Sequence, residues 1–206
     1  MFDEVITTMQ RLREIVGSPS HRMAGKGIDH LDDICRKYIA SSPYIVISTR
    51  GSDGLLDMSP KGDKAGFVHV MDEKTLVIPE RLGNQRADTF KSLMTNPEVG
   101  IIFLIPGFHY ILRVSGVGQV VRDKSLQEMF AIKGKEPALL TAITVEEAFV
   151  HCAKSIARSN IWKPENWPAI DDIPSYAVST VAHAALVETV EEMQTMIDDD
   201  YKNCMY

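Results

Sequence analysis

The chain has 206 residues, 45% hydrophobic and 24% charged, which suits one globular domain and excludes disordered, collagen-like or disulfide-held miniprotein classes. Lysine and arginine number 22 against 28 aspartates and glutamates, a formal charge of −6. Binding of nucleic acid or an anionic membrane through net charge is therefore disfavoured, while a local basic pocket stays open.

In chain order, a short amphipathic stretch (Val5, Met9, Leu12, Ile15, Val16) runs into a loop at Gly17-Ser-Pro-Ser-His21. Apolar residues at 28, 31, 34, 35, 38 and 39 predict one face of a helix, ended by Pro43. Tyr44–Thr49 reads as a strand followed by the turn Gly51-Ser-Asp-Gly54. Leu55–Met58, Phe67–Met71 and Thr75–Ile78 are further strands, the last two joined as a hairpin by Asp72-Glu-Lys74. Asn84–Thr95 reads as a helix with Phe90, Leu93 and Met94 on its buried side, stopped by Asn96-Pro97. Val99–Ile105 and Tyr110–Val121 are longer strands, and Gly116 and Gly118 predict a bend or bulge in the second.

Beyond Asp123 the pattern turns helical: Ser125–Lys133, then Val145–Arg158. The loop Trp162-Lys-Pro-Glu-Asn-Trp-Pro168 follows, and then one last helix from Val178 carrying Val181, Ala185, Val190, Met193 and Ile197. Its acidic end, Asp198–Asp200, opposes the helix dipole. Strands in a contiguous block flanked by helices predict an α+β fold with a mainly β core, an antiparallel barrel with helical decoration. The expected organisation is a single domain, residues 1–206, with a barrel core over 28–123 and a helical C-terminal extension over 124–206.

Cys35, Cys152 and Cys204 are odd in number and lack zinc-ligand spacing, so neither a disulfide framework nor a metal site is expected. No apolar run approaches a membrane span, and the acidic start Met1-Phe-Asp-Glu lacks the features of a signal peptide. The expected compartment is the cytoplasm.

Three stretches carry candidate chemistry. In Met58-Ser-Pro-Lys-Gly-Asp63, read as the loop after a strand, Gly62 permits close backbone approach and Ser59 and Lys61 are candidates to meet a phosphate or ring oxygen; a plain polar loop is the alternative. In Ile78-Pro-Glu-Arg-Leu-Gly-Asn-Gln-Arg86, Asn84 reads as a helix N-cap with Arg81 and Arg86 around it. Cations at that end oppose the dipole unless an anion lies between them, and ordinary surface ion pairs are the alternative. On the helix read over 145–158, His151, Lys154 and Arg158 would share one face, as an anion-facing stripe or a solvated one. His69 and His109 fall at strand positions, and no Rossmann, Walker or Gly-x-Ser-x-Gly motif is present.

Taken in order, Tyr44-Ile-Val-Ile-Ser-Thr-Arg50, Asp57-Met-Ser-Pro-Lys-Gly-Asp63, Gly66-Phe-Val-His-Val70, Thr75 through Arg86, Asn96-Pro-Glu-Val-Gly-Ile-Ile-Phe103 and Leu112-Arg-Val-Ser-Gly116 resemble the pyridoxamine 5′-phosphate oxidase-related, FMN-binding split-barrel proteins. The segment Phe149–Ser159, followed by Trp162, is similar to a subgroup with a helical C-terminal region. The resemblance implies a split β-barrel homodimer with FMN at the subunit interface. It places Ser59 and Lys61 against the flavin or its phosphate side, Ile78 and Pro79 along the ring, and Asn84, Gln85 and Arg86 around the phosphate; Met58 and Arg81, from the same two stretches, are further candidates for the cofactor site. Lys154 and Arg158 would approach the flavin, one's own or the partner's, where a cation near the N1/O2 edge raises its potential.

The sequence departs from true pyridoxamine phosphate oxidases at its C-terminal end. Those enzymes close the pyridoxal phosphate site with a Trp/Arg-rich strand, whereas Ala177–Asn203 reads as an acidic helix without arginine. The expected function is thus an FMN-dependent oxidoreductase acting on a small organic substrate or a reduced nicotinamide, with no catalytic acid or base assigned. A non-catalytic flavin-binding or redox-sensing protein and a haem-binding split barrel using His151 or His109 are the alternatives, with deazaflavin a further candidate ligand.

Overall fold

The computed structural model describes residues 2–206. The helices are α1 (Met9–Val16), α2 (His21–Ala24), α3 (Asp33–Ser41), α4 (Asp88–Thr95), α5 (Lys124–Met129), α6 (Lys154–Ser159), α7 (Tyr176–His183) and α8 (Val190–Asn203). The strands are β1 (Tyr44–Arg50), β2 (Leu56–Gly62), β3 (His69–Val70), β4 (Thr75–Pro79), β5 (Glu98–Leu104), β6 (Ile111–Val121) and β7 (Leu140–His151). They form one antiparallel sheet in the order β2-β1-β5-β6-β7-β4-β3. The fold is α+β with an antiparallel core, as expected, but the sheet is open: β2 and β3 are its two edges.

Period-two alternation builds the inner face. Ile45 and Ile47 of β1, Ile101 and Phe103 of β5, Leu112 and Val114 of β6, Ile143 and Val145 of β7, and Leu76 and Ile78 of β4 all point into one core. Helix α3 closes that core with Leu31, Cys35 and Ile39 on or beside its buried face. Its start is set by Asp32, whose carboxylate accepts from the Cys35 N–H at 2.8 Å. A second cluster, Val77, Phe130 and Leu140, covers β4 from the opposite side, so β4 is apolar on both faces.

Burial pushes the Cys35 thiol up to about 11, while Cys152 and Cys204 are exposed. Alkylation of the native protein near pH 8 should therefore modify two thiols, with the third reacting only on unfolding. Mass spectrometry of the alkylated protein reads this directly, and three equally reactive thiols would contradict the packing of α3.

The bulge expected at the glycines is present, but the extra residue lies on the neighbouring strand. Ser115 stands opposite Glu147 and Gly116 opposite Val145, leaving Glu146 unpaired. A Cβ on Gly116 would lie 2.0 Å from the Thr144 carbonyl oxygen, and one on Gly118 would lie 2.8 Å from Leu93 of α4.

Several expectations are corrected. The helix read from Ile28 begins at Asp33, and Ile28 instead exchanges backbone hydrogen bonds with Ala148 at 3.0 and 2.7 Å. Residues 58–62 are strand rather than loop, and Pro60 is tolerated because β2 is an edge. The strand expected at Phe67–Met71 shrinks to His69–Val70. The helix read over Val145–Arg158 is the end of β7 followed by the six-residue α6, so His151 is the last strand residue and shares no helix face with Lys154 and Arg158. The sheet thus continues beyond residue 123 to His151. The single C-terminal helix is two, α7 and α8, interrupted at Ala184–Thr189, and Ala185 adopts a left-handed φ of 49°. No helix is long and apolar enough to cross a membrane among the described residues.

Candidate functional site

The edge strand β2 sets the geometry. Its residues alternate, so Ser59 and Lys61, opposite Ile47 and Ile45, fall on the core side of the sheet. Met58 and Pro60, opposite Ser48 and Val46, fall on the outer side. On the core side the chain leaving β4 crosses in front of β2 and then enters α4. Between them lie two adjoining hollows of about 360 and 180 Å³, both lined by Ser59, Pro60, Lys61, Glu80 and Asn84. Gly62, Phe67, Pro79, Arg81, Leu82 and Gly83 complete the larger, while Asp57, Met58, Arg86 and the start of α4 complete the smaller.

The crossing segment is shaped by local turn chemistry. Asn84 Oδ1 accepts from the Arg86 N–H at 3.1 Å, and Gln85 and Ala87 both take left-handed φ, 59° and 55°. Asn84 therefore organises a turn and is not the N-cap expected of it. The N-cap is Ala87, whose side chain supplies no hydrogen bond, and the helix starts at Asp88. Its uncapped first turn lies at the smaller hollow.

Three cations converge on this cleft, and each has a carboxylate. Lys61 Nζ lies 3.3 Å from Glu80, and Arg86 Nε lies 2.7 Å from Asp88. The Arg86 guanidinium holds the Asp88 carboxyl below its usual range and is itself raised by it. Arg86 is 73% exposed, so its pair exchanges readily with solvent or another anion. Arg81 is different: Nε donates to Asp63 at 2.6 Å and Nη1 to the Phe130 carbonyl at 2.9 Å. The Asp63 side chain is only 2% exposed and also accepts from the Tyr206 hydroxyl at 3.1 Å, which raises the phenol's pKa. Arg81 is thus occupied in holding the crossing segment to Asp63 and to the turn after α5.

Of the residues nominated from sequence, Met58, Ser59, Lys61, Pro79, Arg81, Asn84 and Arg86 come together at this cleft. Ile78 does not, being buried in the main core at 1% exposure. Gln85 is exposed and lines neither hollow. Lys154 and Arg158 lie on α6, away from the cleft. Their helix touches a different cavity, through Ser155.

That cavity, about 420 Å³, occupies the outer face of β1, β5, β6 and β7. Val46, Ile102, Ile111 and Phe149 give it apolar walls, and Ser115, Arg113 and His151 give it polar groups. Met58 lines both it and the smaller hollow of the cleft, so the two meet around the edge of the sheet. Sequence reasoning did not select Arg113, Ser115 or Glu147. The signal was present in the alternation Ile111, Arg113, Ser115 opposite the core residues Leu112 and Val114, which places charge on the face away from the core. His109 is exposed in the β5–β6 connection. Among the described residues no group of three His, Cys, Asp or Glu side chains is placed to hold a metal ion.

The family model for pyridoxamine 5′-phosphate oxidase matches residues 31–152. Solved structures similar to this chain include HupZ from Group A Streptococcus, at 17% identity over 58% of this chain and 92% of that one, with a TM-score of 0.49. A putative pyridoxamine 5′-phosphate oxidase from Lactobacillus delbrueckii matches at 18% identity over 59% and 95%, with a TM-score of 0.48. HutZ from Vibrio cholerae, described as a haem storage protein, matches at 12% identity over 58% and 94%, with a TM-score of 0.39. No curated protein matches the chain.

Proposed function

This chain belongs to the pyridoxamine 5′-phosphate oxidase family, and from that premise we propose that it is an FMN-dependent oxidoreductase, working as a cytoplasmic homodimer with the cofactor near the subunit boundary. The observation that carries the reading is the convergence of Ser59, Lys61, Asn84 and Arg86 on one cleft that opens, around Met58, toward an apolar cavity. The fit to FMN is chemical. Lys61 and the exposed Arg86 suit the phosphate, with the uncapped first turn of α4 beside them. Pro79 and Met58 suit the less polar remainder of the molecule.

When bound, the flavin supplies hydride exchange with a small organic substrate or a reduced nicotinamide. The protein's own residues bind and orient. Lys61 and Arg86 exchange their pairing with Glu80 and Asp88 for the phosphate, and Arg81, fixed on Asp63, keeps the crossing segment in place. Lys154 and Arg158 on α6 are the candidate cations for the flavin ring, of this subunit or its partner. Three free cysteines agree with a reducing compartment. Oxidation of vitamin B6 itself is not part of the reading, because the chain from Ala177 to Asn203 is two helices without an arginine.

The test is the near-UV and visible spectrum of the purified protein, with the released cofactor identified by mass. Bound or readily acquired FMN supports the proposal. A Soret band, a deazaflavin, or a colourless protein that does not take up FMN overturns it. Arg86→Ala should then weaken FMN binding by about 1.5–3 kcal/mol, the worth of a charge-assisted hydrogen bond. The melting temperature should stay unchanged, since Arg86 is exposed. Titration of the apoprotein with FMN measures the first and calorimetry the second; unchanged affinity would remove Arg86 from the phosphate site.

A further inference from the structure

The crossing segment has a second side. Glu80, Arg81 and Leu82 line the larger hollow of the cleft and also a separate hollow of about 230 Å³ behind it, so the segment is the wall between the two. The rear hollow is closed by the loop over residues 132–138 and by Tyr206, in the stretch after α8. Tyr206 is gripped at three points. Its hydroxyl donates to Asp63 Oδ1 at 3.1 Å, Lys135 Nζ donates to its carbonyl oxygen, and Lys133 Nζ stands 5.8 Å from its ring centroid. The nearly buried Asp63 joins it to the wall: Oδ1 also accepts from the Lys64 N–H at 2.7 Å, while Oδ2 accepts from Arg81 Nε at 2.6 Å. A residue outside the family-matched region 31–152, and 143 positions from Asp63 in sequence, thus helps to hold the carboxylate that holds Arg81.

Arg81 lies between two parts of the cleft's phosphate end. Glu80, which pairs with Lys61, precedes it, and the turn carrying Asn84 and Arg86 follows. We infer that Tyr206 is a positioning residue for that end of the cleft, fixing the crossing segment through Asp63 and Arg81 and so setting the affinity for a phosphate ester. That the ester is FMN rests on the reading above. Without the phenol, the Asp63 carboxylate loses one of three donors in a place that water barely reaches. It replaces that donor only by moving or by admitting water, and either change reaches Arg81 directly. The coupling runs both ways: a phosphate ester that fixes the segment from the front also tightens the docking of Tyr206 behind it.

The experiment titrates FMN and riboflavin, which differ only by the phosphate, into the full chain and into its Tyr206→Phe variant. That variant removes the hydrogen bond to Asp63 and keeps the ring beside Lys133. FMN affinity should fall about three- to tenfold, the worth of one hydrogen bond, while riboflavin affinity holds. A general loosening of the fold would weaken both flavins alike. Hydrogen exchange without any flavin is the second measurement: amides 80–86 should exchange about threefold or more faster in Tyr206→Phe, with β1 and β5 unchanged. Equal losses for the two flavins, an unchanged FMN affinity, or undiminished protection at 80–86 would each overturn the inference. If the wild-type chain binds neither flavin, the flavin proposal fails, and exchange at 80–86 alone decides whether Tyr206 positions the segment.

Discussion

Gly116→Ala should be the most damaging single-methyl change in the chain, removing more than about 3 kcal/mol of stability and leaving little folded protein. The added Cβ would lie 2.0 Å from the Thr144 carbonyl oxygen and 3.0 Å from its carbon, both backbone atoms at the bulge between β6 and β7. Relief requires moving a central strand, since a side chain cannot simply rotate away. Gly118→Ala is milder, about 1–3 kcal/mol, because the atom it meets at 2.8 Å is the end of the Leu93 side chain. Gly100→Ala has open space around its Cβ and serves as the control. Urea unfolding of the three variants gives the ranking, and a Gly116→Ala protein as stable as Gly100→Ala would refute the strand register.

Arg81→Ala comes second, with an expected loss of about 3–5 kcal/mol, toward the lower end. The change leaves the Asp63 carboxylate, 2% exposed, without its cation, although Tyr206 and the Lys64 N–H still donate to it. It also removes the 2.9 Å bond to the Phe130 carbonyl. Pairing Arg81→Ala with Asp63→Asn should recover part of the loss, because the stranded charge is gone. This pattern distinguishes Arg81 from Arg86, five residues on, whose replacement acts on ligand affinity and not on stability. An Arg81→Ala protein with wild-type unfolding behaviour would mean that Asp63 is solvated in solution.

Which residues would meet at the cleft was legible because their chemistry is local: Ser59 and Lys61 are two apart on one strand, and Asn84 and Arg86 belong to one turn. The same locality misled at residues 145–158. Val145, Ala148, Cys152 and Ile156 recur at spacings of three and four, and Glu146-Glu147 interrupts the alternation of a strand. The interruption is the bulge itself, which inserts Glu146 and shifts the phase of everything after it. A bulge depends on the partner strand, and the partner, β6, is not visible in a window read along the chain. The burial of Ile78 is likewise set by strand pairing distant in sequence, through β7. The outer cavity went unread for a similar reason: Arg113 and Phe149 are neighbours only through strand pairing.

The sheet order also dictates a sequence of events during folding. β1, β2, β5 and β6 can pair among themselves as soon as residue 121 is available. The β3–β4 hairpin cannot join them, because its only route into the sheet is β7, which begins at Leu140. Closing the roughly 60-residue gap between β4 and β7 carries a length-dependent entropy of about 3–4 kcal/mol. During synthesis Leu76, Val77 and Ile78 therefore emerge early and wait unburied until β7 leaves the ribosome. Docking of β7 is the late, non-local step that completes the core, and the interval before it is when this chain is most open to aggregation or to capture by a chaperone.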